Sequence, residues 1–334
     1  MIEWDDGLRV AGSTLYLDAR RPRAVSFVSH AHSDHVARHQ VALATPETLA
    51  LAEVRLGMED SIALPFGVEH VHEDEGSRCR VRLHSAGHVL GSAMIRVERD
   101  DGASLLYTGD FKLRPSRTVP IADPPPADVL VTESTFGRPM FRFPPTSETV
   151  ERLIELVAAA MKEGRQPIVM GYSLGKAQEV VRILTDAGFA VTEHGAVGKL
   201  SAVYEQMGVP LGRRRRYAAA DFRGPKALQL EERGVLVAPP QVARSAFVEQ
   251  FDNPLTVMMS GWALLKGAHF RYGVQHVLPL SDHADFDELI ELIDRVRPKK
   301  ILTVHGFPDF VDTLRKRGLD ARLAKPEAQM SLFD

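Results

Sequence analysis

Four potential metal ligands lie within six residues of "SHAHSDH", namely His30, His32, Asp34 and His35, directly after the apolar stretch "AVSFV". In extended chain, side chains two residues apart point the same way, so His30 and His32 can reach one cation. Asp34 and His35 fall where a helix could begin, aimed at a second cation. Two-metal hydrolases hold their ions about 3.5–4 Å apart. A lone His-x-His pair is commonly structural, but four ligands so close together describe half of a dinuclear site. The other half is sought where a histidine or aspartate ends a strand beside glycine, because a missing Cβ lets backbone close in. His88 in "SAGHVLGS", Asp110 in "LYTGDF" and His305 in "LTVHGF" qualify. This places His30, His32 and His88 on one cation and Asp34, His35 and His305 on the other, with Asp110 bridging. Such imidazole and carboxylate donors accept zinc, manganese or iron. Cys79 is the one cysteine, which excludes an internal disulfide and a cysteine-based zinc site.

These ligands must be carried by strand ends and loops. "RCRVRLH" alternates polar and apolar residues, and "SAMIRVE" and "SLLYTGD" follow with a hairpin signal, Asp101-Gly102, between them. Strands are expected at roughly 25–29, 79–84, 92–98 and 104–108, and "PETLALAEVRL" reads as a helix. In "TSETVERLIELVAAAMKEG" Val150, Leu153, Ile154, Val157 and Met161 share one helical face, with Thr146 or Ser147 expected to cap it and Gly164 to end it. Strand and helix then alternate through "PIVMGYS", "KAQEVVRILTDAG", "FAVTE", "KLSAVYEQMG" and "GVLVAPP", the pattern of βαβ units around a parallel sheet. The last third returns to "PLTVMMSG", "FDELIELIDRV" and "KKILTVHG".

A chain of 334 residues exceeds one ordinary domain, so either a large α/β domain with an insertion or two domains are expected. The net charge of −3 supplies no global attraction to nucleic acid, so phosphate binding must come from local clusters or bound cations. No apolar run is long enough to span a membrane, and a cytoplasmic, membrane-free protein is expected.

The ligand pattern resembles that of the metallo-β-lactamase fold, and "LYLDAR" with Asp18 matches its first motif, in which the aspartate orients the ligand loop. "TESTFG" with Glu133, "GYSLGKAQEVVRIL", "SDHADF" with His283 and "VHG" with His305 further resemble the β-CASP nucleases. The likeness extends to about residue 322 and is nearest to the bacterial ligase-associated DNA exonuclease family. It implies an αββα sandwich with a compact inserted β-CASP α/β domain. The expected division is a first metallo-β-lactamase part over 1–137, the insertion over 138–260, a second part over 261–322 and a tail over 323–334. One departure concerns substrate: His305 matches a histidine that RNA-cutting members have and the crosslink-repair branch usually lacks.

The resemblance implies a metal-dependent phosphodiesterase acting in DNA repair. It would digest DNA from an end, in the 5′ to 3′ direction and with single strands preferred. Asp34 orients the attacking water, His283 protonates or stabilises the leaving oxygen, and Glu133 holds the His283 tautomer. "GYSLGK" joins a strand to a helix, so Ser173 and Lys176 with nearby N–H groups could hold a terminal phosphate, or the segment is simply a tight turn. Arg213, Arg214, Arg215 and Arg216 suit a strip that tracks a nucleic-acid backbone, or a solvated loop. The competing functions are an RNA-processing β-CASP ribonuclease, a small-molecule metallohydrolase and a noncatalytic scaffold. The small-molecule reading has no use for "TESTFG" or "SDHADF", and the scaffold reading conflicts with a full ligand set.

"QMSLF" is a further motif. Gln329, Leu332 and Phe333 match the spacing by which bacterial replication and repair proteins dock on the DNA sliding clamp, the glutamine in a small pocket and the two apolar side chains in a cleft. The alternative is a tether packed back on the domain. A clamp partner favours DNA over RNA, and association with an ATP-dependent DNA ligase is expected from the family likeness.

Overall fold

The chain is described by a computed structural model over residues 1–57, 60–74, 77–225 and 227–324. It divides into two units, one made of Met1–Arg142 with the chain from His283 onward, the other of Phe143–Asp282. "QMSLF", with Gln329, Leu332 and Phe333, lies outside the described residues.

The first unit opens with a six-stranded sheet, β1 (Ile2–Trp4), β2 (Leu8–Val10), β3 (Leu15–Leu17), β4 (Val25–Phe27), β5 (Val41–Ala44) and β6 (Ser61–Ala63), in that spatial order. Helix α1 (Pro46–Leu56) crosses between the parallel β5 and β6. Thr45 Oγ1 accepts from Thr48 N at its start, Pro46 fills the first turn, and Gly57 ends it in the left-handed region, so "PETLALAEVRL" is helical from end to end. The next strands are β7 (Glu69–Asp74), β8 (Ser77–Ser85), β9 (Ala93–Arg99), β10 (Ser104–Tyr107) and β11 (Val129–Ser134). In β8 Cys79, Val81, Leu83 and Ser85 are buried in alternation, as period-2 patterning requires. The β9–β10 hairpin turns at Asp101 and Gly102, where Gly102 has φ +81°.

The second unit is an all-parallel sheet with helical crossovers. Its elements run α2 (Thr146–Lys162), β12 (Pro167–Met170), α3 (Lys176–Asp186), β13 (Val191–Glu193), α4 (Gly195–Gln206), β14 (Arg214–Arg216), α5 (Leu230–Arg233), β15 (Val235–Ala238), α6 (Ala246–Glu249), β16 (Leu255–Met259), α7 (Ala268–Tyr272) and β17 (His276–Leu278). The strand order is β14-β13-β15-β12-β16-β17. Buried runs such as "VLVA" and "LTVMM" fit a sheet covered on both faces. Two expectations change here. Helix α2 already begins at Thr146, so Pro145 occupies the cap position and no side chain caps it. The insertion runs to Asp282 rather than 260, because β17 pairs with β16 and completes its sheet.

The first unit resumes with α8 (Phe286–Val296), β18 (Lys300–Gly306), α9 (Asp309–Lys316) and β19 (Ala321–Leu323). These strands complete a seven-stranded sheet ordered β19-β18-β11-β10-β9-β8-β7. Leu15, Leu17, Phe27 and Leu43 of the first sheet share one core with Val81, Leu83, Ile95, Leu105 and Val131 of the second. On the other face of the second sheet Met94, Leu106, Leu130 and Ile301 pack against Leu289, Leu292 and Ile293 of α8 and Phe310 and Leu314 of α9. Because the inner face of the first sheet is filled, the α1 crossover lies on its outer face. The result is the αββα sandwich of the metallo-β-lactamase fold. Among the described residues no helix is long and apolar enough to cross a membrane.

Candidate metal centre

The ligand loops leave the sandwich at the ends of its central strands. After β4 the chain enters "SHAHSDH", and Ala93 N donates to Ser29 O at 2.8 Å, tying the start of this loop to β9. His30 and His35 are fully buried, whereas Asp34 is exposed. His88 sits in the β8–β9 turn, where Ser92 Oγ accepts from His88 N and Val89 N, each at 3.1 Å. Asp110 follows β10 across Gly109, at which a Cβ would lie 2.5 Å from the Ser29 side chain. Here the glycine is required by close approach.

His305 is the extra residue of a β-bulge. β11 and β18 pair in parallel with Glu133 opposite Val304 and Ser134 opposite Gly306, which leaves His305 unpaired. Its φ is +44°, Ser134 Oγ donates to its carbonyl at 2.9 Å, and a Cβ on Gly306 would collide with the Ser134 backbone at 2.0 Å. The bulge turns the His305 ring toward His35, the ring centroids being 5.1 Å apart.

Two donor groups result, His30, His32, His88 and Asp110 in one and Asp34, His35 and His305 in the other, each with its ligand atoms within 4.8 Å of one another. His32 Nδ1 lies 3.0 Å from His30 Nε2 and 3.1 Å from His88 Nε2. Asp110 Oδ2 is 3.6 Å from His30 Nε2, 3.3 Å from His35 Nε2 and 3.9 Å from His88 Nε2, so it faces both groups. Imidazole nitrogens converging this closely suit a shared cation. The buried His35 Nε2 has no hydrogen-bond partner among the described residues, which marks it as an open donor. The residues therefore fit two divalent ions.

Charge in the centre follows from burial and proximity. Burial and then the neighbouring rings of His35 and His88 push His30 well below the ordinary histidine range. Burial would also lower His35, but Asp110 and Asp18 outweigh it and hold this ring well above that range. Burial works to raise the Asp110 carboxyl, yet His35 and His283 hold it well below the usual carboxylate range. His305, desolvated and facing His35, is lowered to about 4.

Asp18 organises the loop from below. Its Oδ1 accepts from Ser29 N at 2.6 Å, and its Oδ2 accepts from Ser29 Oγ at 2.5 Å, Tyr107 OH at 2.7 Å and His35 Nδ1 at 2.8 Å. The last bond turns His35 Nε2 inward. Asp18 itself has φ +47°, a conformation uncommon outside glycine that the surrounding bonds hold in place. Ser29 and Tyr107 escape a sequence reading. The available signal was Tyr107's place at a strand end beside Asp110, with an inward ring whose hydroxyl needs a partner. Arg55 on α1 was also missed; it donates to Ala31 O at 2.6 Å, between two ligands.

A third group joins Asp110, Glu133 and His283. His283 Nδ1 is 2.9 Å from Glu133 Oε2 and 3.2 Å from Oε1. Glu133 is 1% exposed, accepts from Phe111 N at 2.8 Å and receives the Thr135 hydroxyl. Burial pushes its carboxyl up against the pull of His283. Asp285 caps α8 in a capping box with Glu288, and Ala284 N donates to Phe111 O at 2.6 Å, which fixes the backbone directly after the half-buried His283.

The remaining candidates lie in the second unit. Ser173 is half-buried and its carbonyl accepts from Gln178 Nε2 at 3.0 Å. Lys176 is 3% exposed with Nζ 3.0 Å from Asp282 Oδ1, so its charge is matched by an acid rather than open to a phosphate. Arg214 pairs with the buried Glu193 at 2.7 Å and with Glu205 at 2.5 Å, which makes it a structural cation of β14. Arg213 and Arg216 are exposed, and Arg215 lies 3.8 Å from Asp221.

Comparison with known proteins matches residues 267–323 to a family described as a Zn-dependent metallo-hydrolase RNA specificity domain. The chain is 39% identical over 334 residues to a probable DNA ligase of Opitutus terrae, covering 99% of this chain and 32% of that protein. It is 25% identical to the transcription termination factor FttA of Pyrococcus abyssi, over 81% of this chain and 51% of that one, and 26% identical to the endoribonuclease YSH1 of Candida albicans, over 68% and 32%. It thus spans about a third to about a half of the length of these curated relatives. A solved structure of a protein of unknown function from Enterococcus faecalis has the same fold, with a TM-score of 0.60 at 15% identity over 91% of this chain and 79% of that one.

Proposed function

We propose, starting from the chain's membership of the β-CASP group of metallo-β-lactamase-fold hydrolases, that it is a two-metal phosphodiesterase degrading DNA from an end. The reading extends to 5′ to 3′ digestion with single strands preferred, to DNA repair in the cytoplasm, and to action alongside an ATP-dependent DNA ligase. The observation that carries it is the meeting of two donor groups at Asp110 with the His283–Glu133 pair beside them. Cations bound there, as zinc, manganese or iron, would activate water at neutral pH and draw charge off phosphoryl oxygens. His30, His32 and His88 would hold one and Asp34, His35 and His305 the other, with Asp110 facing both.

The chain's own residues supply the rest. Exposed Asp34 accepts a hydrogen bond from the attacking water and orients it. Glu133 accepts the Nδ1–H of His283, leaving Nε2 to give or take a proton at the leaving oxygen. As charge grows on that oxygen, a protonated His283 stabilises it.

DNA is favoured by the stretch shared with a probable DNA ligase and by "QMSLF". In that motif, burying Leu332 and Phe333 in a sliding-clamp cleft is worth roughly 1.5–3 kcal/mol each, less the cost of ordering the segment. RNA is the second reading, favoured by His305 and by the description of the matched family. End-labelled DNA and RNA of one sequence, linear and circular, are to be incubated with zinc- or manganese-loaded protein, with Asp34→Ala as control. Shortening of linear DNA from one end supports the proposal. Preferential loss of RNA moves the chain to the second reading, equal cutting of circles makes it an endonuclease, and activity retained by Asp34→Ala removes the two-metal mechanism. Deleting residues 329–334 is expected to abolish binding to the clamp of the same organism and leave cutting of short oligonucleotides intact. Absence of clamp binding by full-length protein in calorimetry at about 50 μM, near the weak end for so small a contact, would discard the docking role.

A further inference from the structure

We propose that Arg20 is the cation that receives the substrate's scissile phosphate at the rim of the metal centre, an inference that rests on the phosphodiesterase reading. "DARRPR" places three arginines just after Asp18. Two are committed elsewhere: Arg21 pairs with Asp6 at 3.0 Å, and Arg23 pairs with Asp6 at 3.2 Å while its guanidinium lies 4.4 Å from the Tyr16 ring centre. Arg20 is exposed and, among the described residues, has neither hydrogen bond nor ion pair.

Its backbone is anchored on the side of the metal centre. Asp18 is held by four hydrogen bonds, and Ala19 is buried with its N–H on Ser26 Oγ at 3.3 Å. The side chain is therefore launched from a fixed point two residues beyond the aspartate that holds His35. Its positive charge bears on the half-buried His305 ring and on the Tyr107 hydroxyl that donates to that aspartate.

The chemistry has a use for such a group. Asp18, Asp34 and Asp110 would offset part of the charge that two divalent ions would bring, which leaves a role for a further cation at the phosphate. A free guanidinium offers a planar fork matched to two phosphate oxygens, and its permanent charge persists as negative charge grows during attack. Arg55, the other arginine by the ligand loop, is engaged on Ala31 O and its charge bears on Asp34.

The test compares Arg20→Ala, Arg20→Lys and Arg21→Ala, the last removing the same charge one residue away. Metal content and thermal unfolding are measured for each. Binding of a fluorescent single-stranded oligonucleotide with phosphorothioate linkages is followed by anisotropy over a range of salt, beside kcat and KM on the unmodified strand. Arg20→Ala is expected to keep its metal, lose about 10- to 100-fold in kcat/KM, and show a salt slope smaller by about 0.7, as for one lost phosphate contact on a single strand. Lysine should restore the salt slope and only part of kcat/KM, since it keeps the charge without the fork, and Arg21→Ala should stay within about twofold of wild type. Binding and turnover in Arg20→Ala equal to those of Arg21→Ala would overturn the assignment, and loss of metal would show a structural role instead. Wild-type protein that binds the strand without cutting it would remove the catalytic reading and leave Arg20 to be judged by the binding arm; wild-type protein that does not bind would overturn both.

Discussion

Replacing Asp18 by asparagine tests whether this carboxylate sets metal affinity without touching metal. The side chain is 3% exposed and accepts from Ser29 N, Ser29 Oγ, Tyr107 OH and His35 Nδ1. Asparagine preserves shape but replaces one acceptor oxygen by a donor. If the amide nitrogen takes the Oδ1 position it faces the Ser29 N–H, and in the Oδ2 position it faces the His35 Nδ1–H. The Ser29 and Tyr107 hydroxyls can rotate to accept, whereas neither N–H can. At least one charge-assisted hydrogen bond, worth about 1.5–3 kcal/mol, is therefore lost. Spent on orienting His35, that loss corresponds to roughly 10- to 100-fold in affinity at 1.4 kcal/mol per factor of ten, the range found when residues that orient metal-binding histidines are removed. Competition for zinc against a chromophoric chelator reads this directly. The ion whose donors include His35 should weaken, while the site of His30, His32 and His88 should hold. Both sites binding within twofold of wild type would refute the role given to Asp18.

His283→Ala should retain both ions by elemental analysis yet turn over about two to four orders of magnitude more slowly; loss of metal would make His283 a ligand. Glu288→Ala removes a buried carboxylate that accepts from Leu113 N and Asp285 N, both at 2.9 Å, and pairs with Arg114 at 2.7 Å. It should cost about 3–5 kcal/mol in urea unfolding, and a change under about 1 kcal/mol would contradict the geometry. The Asp128 carboxyl is held at about 2 by Lys299 and Ser104. Because this folded value lies below the ordinary one near 3.9, its stabilisation is present above about pH 4 and fades as pH falls toward 2. Solvent screening keeps it below about 1 kcal/mol. The difference in urea midpoint between wild type and Asp128→Asn should shrink from pH 5 to pH 3, and a constant difference would disprove the linkage.

The candidate donor groups were legible because their signals are local. His30 and His32 are read from a spacing of two, and His88, Asp110 and His305 from the glycines that let strand ends close on one another. The strands from β8 to β10 announced themselves by alternation and by Asp101-Gly102. The three-residue strands β1 to β3 left no comparable pattern, since so few residues cannot establish a period. Partnerships across the fold were not legible either. Arg214 within "RRRR" looks like a phosphate contact until the fold sets it beside Glu193 and Glu205. Lys176 resembles a phosphate-loop lysine until Asp282 is beside it. Tyr107 resembles any core aromatic until its hydroxyl meets Asp18. In each case the deciding partner is remote in sequence, and composition near the residue carries no trace of it.

The bulge at His305 bears on how the protein is made. Ser134 and His305 touch across a separation of 171 residues, so at bacterial or eukaryotic translation rates β18 emerges roughly ten to thirty seconds after the strand it must join. During that interval β11 carries an unpaired hydrogen-bonding side beside a folding insertion, a surface prone to mispairing that a chaperone could shield. His30, His32, His88 and Asp110 are already synthesised, so a nascent chain could capture its first ion early. The second set lacks His305, and Glu133 lacks His283, until the segment that follows the insertion leaves the ribosome. The order of residues along the gene therefore acts as a timer, leaving the second donor group unfinished until long after the first has been made.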